Sequence, residues 1–134
     1  MPDVPTFIRR NAAKITPLVV EDLMRKLPLM KVEFAQINAP KFPHLVDQLE
    51  FLVDVVEDFG DGEANDLPYF AVAEAAFAII FAHKMFDLIP DPESNKKYDD
   101  DSDIVRTVLM QYEVQFEEYA KRTKHDWSKI TSEP

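Results

Sequence analysis

The chain has 134 residues, 15 Lys/Arg against 25 Asp/Glu for a net charge of -10, no cysteine and two glycines. That length suits one domain around one core, and the missing cysteines exclude disulfides, thiolate zinc sites and a cysteine nucleophile, which fits a reducing, cytoplasmic setting. The acidity disfavours nucleic acid and anionic lipid, and without an apolar leader or a run of about 18 apolar residues neither export nor a transmembrane segment is expected.

The charge is unevenly spread. Residues 1–34 hold six Lys/Arg against four Asp/Glu, residues 35–103 four against sixteen, and residues 104–134 five of each. The basic start (Arg9, Arg10, Lys14, Arg25, Lys26, Lys31) reads as a solvated mixed-charge face, able to lie against the acidic middle of this chain or of a second copy.

Sparse glycine and long runs at 3.6-residue spacing predict an all-α protein, a compact bundle of five to six helices. Residues 1–42 supply extra N-terminal helices. Thr16 followed by Pro17 is an N-cap with proline in the first turn, opening a helix that carries Leu18, Val19, Leu23 and Leu27. Pro28 breaks or kinks it, and a continuation through Met30, Phe34 and Ile37 ends before "NAPKFP". The next helix starts near Pro43, with Leu45, Leu49, Leu52, Val53 and Val56 on its stripe and Gly60 as its stop.

After the loop "GDGEAND", Asp66 and Pro68 open "YFAVAEAAFAIIFAHKMF". A helix apolar nearly all round, yet too short to span a bilayer, is the expected buried centre of the bundle, over about residues 68–86. Its alanines suit close helix approach, and Glu74, its one early charge, is expected at the surface or snorkelling towards it. The last helix is expected from about Ser102 to Arg122. Residues 123–134 read as a frayed tail whose Trp127 either packs back on the body or serves as an anchor for a partner.

No catalytic motif stands out. Asp58 to Gly60 spell a kinase tripeptide without its companion motifs; Asp99, Asp101 and Asp103 begin a calcium-loop pattern, but Ile104 stands where it needs glycine and Met110 where it needs glutamate. His44, His83 and His125 form no cluster in sequence. What remains is "MFDLIPDPESNKKYDDDSDIV". Asp87 faces the negative end of a helix dipole and needs a partner, with His83 one turn earlier and Arg106 as candidates. Asp99 to Asp103 suit a helix N-terminus, where one of them or Ser102 is expected to be the N-cap. The structural reading is a corner where two helix ends meet; the sharper one is a divalent cation held by some of Asp87, Asp91, Asp99, Asp100 and Asp101 with His83.

Residues 76–105 resemble the YkvA-like domain of unknown function, whose signature is an apolar helix ending in D-L-I-P-D, a short loop and an Asp-Asp pair opening another helix. Asp87-Leu88-Ile89-Pro90-Asp91 matches the first part, and Asp100-Asp101 or Asp99-Asp100 the second. The resemblance spans about residues 43–122. Met85 departs from the family's proline, and the polar "PESNKK" from its apolar loop. It implies a compact helical domain with no established activity; Asp87, Pro90, Asp91 and Asp100 carry the motif, and Arg106, the candidate partner of Asp87, completes the structural corner.

The sequence therefore favours a soluble, cytoplasmic, non-enzymatic interaction or self-association module, with a homodimer among the assemblies expected and Trp127 as a contact residue. The alternative is a divalent-metal-binding domain using Asp87, Asp91, Asp100 and Asp101 with His83.

Overall fold

Proline placement and side-chain caps start the N-terminal helices. In the computed structural model, which describes residues 3–64, 66–88 and 98–131 and only the backbone of 85–88, α1 spans Val4–Ala12. Asp3 caps it by accepting from the Thr6 amide at 3.2 Å. α2 spans Pro17–Met24, and Thr16 Oγ1 accepts from the Val19 amide at 3.3 Å. Pro28, in the first turn of α3 (Leu27–Phe34), has no N–H and its ring would strike the carbonyl of residue 24, so α2 ends at Met24.

α4 spans Leu45–Gly60, α5 Tyr69–Leu88, α6 Asp99–Gln111, α7 Glu113–Arg122 and α8 Trp127–Ile130. No strand occurs among the described residues. The protein is an all-α bundle around α5, which packs against α1, α2, α4 and α6. Ala71, Ala73, Ala75, Ala76, Ala78 and Ala82 are buried along it, and their short side chains let the neighbouring backbones approach. Val53 and Val56 of α4, Val105 and Val108 of α6, and Ile8 and Ala12 of α1 belong to the same core. So do Leu23, Leu27 and Phe34, which places α1 to α3 in one body with the rest.

Three differences from the expected architecture stand out. Eight helices occur among the described residues, because α1 and α8 add to the count and the last long helix breaks at Tyr112, where φ is -127° and ψ 35°. No glycine or proline marks that break. The Tyr112 hydroxyl donates to Glu74 at 3.0 Å, while Phe116 beyond it turns to Phe51, so the two halves serve different partners.

The second is the tail. Residues 123–131, expected to fray, are bound to α4: the Gln48 amide donates to the Thr131 carbonyl at 2.9 Å and His44 Nδ1 to the Lys129 carbonyl at 2.7 Å. Trp127 is half-buried, its ring edge-on to Phe51 with centroids 5.9 Å apart. The pull comes from Phe51, which also meets Tyr119 at 5.7 Å and His125 at 5.3 Å. Residues 132–134 lie outside the described residues.

The third concerns α5. Its apolarity all round does not mean enclosure all round: Phe77, Ile80 and Phe81 are only half-buried, and Phe70 is 65% exposed.

Candidate functional site

The aspartate corner is the first place to look. Asp87 lies on the last turn of α5, its side chain outside the described residues, as are Pro90 and Asp91 altogether. Asp99, Asp100 and Asp101 form the first turn of α6, facing the positive end of its dipole. The N-cap is Tyr98, with no capping side-chain bond, rather than an aspartate or Ser102. The acids act one step further in, through the dipole. Asp100 is exposed, whereas Asp101 and Ser102 are buried.

Arg106, a candidate partner for Asp87, turns back along its own helix. It donates to Ser102 Oγ and to Asp103 Oδ1, each at 2.9 Å, because both lie three or four residues earlier on the same face. His83 reaches across to α3, with Nε2 3.2 Å from Glu33 Oε2. Among the described residues no three His, Asp or Glu side chains stand close enough to hold a metal ion.

A second cluster joins α3, α4 and the C-terminal segment. Lys31 donates to Asp54 Oδ1 at 2.6 Å, His125 Nε2 stands 2.9 Å from Asp54 Oδ2, and Thr123 Oγ1 lies 2.6 Å from His125 Nδ1. Hydroxyl, imidazole and carboxylate thus follow in the order of a nucleophilic triad. The hydroxyl donates instead to the Tyr119 carbonyl at 2.8 Å. It sits at the C-terminal end of α7, where carbonyls rather than N–H groups are left over, so nothing there suits an oxyanion. The adjoining recess, about 130 Å³, is walled by Asp47, Glu50, Asp54 and Asp126. Tyr119 adds a hydrogen bond to Asp58, and burial together with that bond holds its hydroxyl well above the usual phenol range. The cluster works as a clamp on the fold.

The third feature is a groove on the open side of α5. One recess of about 390 Å³ is lined by Val19, Leu23, Met30 and Ile80, with Asp22, Lys26, His83 and Lys84 around it. Another, about 360 Å³, is lined by Phe7, Asn11, Phe77, Ile80, Phe81 and Lys84. Ile80 and Lys84 line both, so the two recesses flank the same stretch of α5. Phe7 packs edge-on to Phe77 and Phe81, with centroids at 5.7 and 6.3 Å, which fixes the floor of the second recess.

Polar groups at this groove are unevenly engaged. Asp22 is paired with Arg25 at 2.6 Å, and His83 with Glu33. Lys26 and Lys84 are exposed and make no ion pair among the described residues. Leu18, Leu29 and Val32, on the same two helices α2 and α3, are 71%, 64% and 58% exposed. Sequence reasoning missed the groove, and the signal was present: a central helix with Phe77, Ile80 and Phe81 on one side carries more apolar surface than its neighbours cover.

Glu74 corrects a further expectation, being 1% exposed rather than at the surface. Its place on the buried face of α5 follows from helical register with Ala71 and Ala78, both buried.

Comparison with family models, with curated proteins and with solved structures finds no match to this chain. The YkvA-like resemblance accordingly rests on the motif at residues 87–91 and 99–101 alone.

Proposed function

We propose that the protein is a helical interaction module, and that the groove over Ile80 receives an amphipathic helix whose apolar stripe is flanked by acidic residues. The observation that carries this reading is that two recesses, one on each side of the half-buried Ile80, share Ile80 and Lys84 in their lining. A helix presents an apolar ridge at i, i+3, i+4 and i+7, and an elongated groove with a floor of Phe77, Ile80 and Phe81 is the complement of such a ridge. Soluble proteins rarely leave large apolar side chains grouped in the open without use.

Charge selects among the occupants. Lys26 and Lys84 stand at the groove with no described acidic partner, whereas Asp22 is already neutralised by Arg25. Acidic flanks therefore gain two ion pairs on docking, and desolvated lysines near an apolar floor make those pairs stronger than surface ones. A second copy of the chain suits the groove less, since each copy brings a net charge of -10.

Methyl NMR of the protein titrated with an acidic amphipathic helical peptide tests this reading. The Ile80 resonance should shift together with those of Leu23 and Met30. Shifts confined to Leu49, Leu52 or other core positions distant from the groove would sink it.

A further inference from the structure

We propose that the cavity beside Glu74 is a binding site for a small zwitterion of the α-amino-acid class with an apolar side chain, its ammonium on Glu74 and its carboxylate on Arg9. The cavity, about 300 Å³, is separate from the groove and is lined by Arg9, Ala12, Phe70, Glu74 and Tyr112. Its volume accommodates a single small molecule and a few waters.

Glu74 supplies the reason for a ligand. It is 1% exposed and one oxygen, Oε2, accepts from the Tyr112 hydroxyl at 3.0 Å. The other, Oε1, is buried and has no hydrogen-bond partner. A carboxylate oxygen sealed from water without a donor costs on the order of 1–3 kcal/mol, so a buried acid in an alanine-rich helix is retained at the expense of stability. Burial pushes the Glu74 carboxyl up, with the Tyr112 bond and then Arg9 opposing it. A donor placed on Oε1 removes that penalty.

Arg9 lines the same cavity. It lies close enough to act on Glu74 through space, yet it is exposed and makes no ion pair among the described residues. A guanidinium offers a planar fork that fits a carboxylate with two parallel bonds. With an acceptor and a donor fork lining one cavity together with Ala12, Phe70 and Tyr112, the complementary molecule carries both charges on an apolar body. An amine alone leaves Arg9 opposing it, and a carboxylic acid alone meets Glu74.

Isothermal titration of the full chain with L-phenylalanine, L-leucine and L-methionine tests this, beside 2-phenylethylamine and 3-phenylpropionate as probes lacking one charge. At least one amino acid should bind. Glu74→Gln, which keeps an acceptor for Tyr112, and Arg9→Gln, a surface change, should each weaken binding about tenfold or more, equivalent to about 1.4 kcal/mol. Both single-charge probes should be weakened as much. No binding of the three amino acids up to about 10 mM, far above the concentrations at which a built site saturates, would overturn the assignment. So would binding that either variant leaves unchanged, or an amine that binds as tightly as the amino acid.

Discussion

Lys31 Nζ on α3 stands 2.6 Å from Asp54 Oδ1 on α4, and the opposite oxygen of the same carboxylate meets His125 Nε2 at 2.9 Å. One side chain thus holds two elements that come from distant parts of the chain. Asp54→Ala should cost about 2 kcal/mol, since it removes both bonds at once. Lys31→Met should cost under about 1 kcal/mol, because the Lys31 side chain is 40% exposed and solvent screens its pair. Urea unfolding of the two variants measures the difference, and equal losses would contradict the clamp. The hydrogen bond to Asp54 holds Lys31 above its usual pKa of 10.5. The pair's contribution is therefore fully present below that value and lost as pH rises through the higher, folded one.

Glu74 gives the protein a pH dependence of definite sign. Burial raises its carboxyl above the ordinary 4.5, so the folded state binds this proton more tightly than the unfolded state. Stability from this group falls as pH climbs from the ordinary carboxylate range through the raised value. Glu50 and Glu57, raised first by burial as well, act in the same direction. Glu74→Gln should melt higher than the wild type at neutral pH, with the gap closing in acid where Glu74 is protonated in both states. A constant gap across that range would show that the buried charge is not the cause.

Phe51 organises the C-terminal third of the chain, with ring contacts to Phe116, Tyr119, His125 and Trp127 at centroid distances of 5.3–5.9 Å. Phe51→Ala should cost about 3–5 kcal/mol as a large core truncation. Trp127 is the one tryptophan in the sequence, so its fluorescence reports α8 directly. In the folded Phe51→Ala variant the emission should move to the red as the indole meets water. An unshifted spectrum would mean that α8 stays docked without Phe51.

Much of this architecture is legible in the residues. Thr16 and Pro17 announce α2, Pro28 its end, and the alanines from Ala71 to Ala82 the buried side of α5. These signals are local, and local chemistry decides where a helix starts or stops. The break at Tyr112 is not legible, because no glycine or proline marks it and the Tyr112 hydroxyl bonds to a residue 38 positions away. Trp127 and His125 look like parts of a polar tail until Phe51 is placed beneath them. The candidate groove was hidden for a related reason. Apolar residues at 77, 80 and 81 read as core in a pattern of spacings, and only the packing of α1 and α2 beside α5 shows which of them remain uncovered.

If the proposed interaction is right, the Ile80 groove takes an acidic amphipathic helix. Two fluorescent peptides of about four turns, with the same leucine stripe and either glutamates or lysines on its flanks, put it to the test by anisotropy. The overall charge of -10 favours the lysine peptide at long range, so a preference for glutamate points to basic groups near the groove, of which Lys26 and Lys84 line it. The glutamate peptide should bind about tenfold tighter or more, and Ile80→Glu, at a half-exposed position, should abolish that binding in a protein that still melts cooperatively. Tighter binding of the lysine peptide, or binding indifferent to Ile80→Glu, would contradict it.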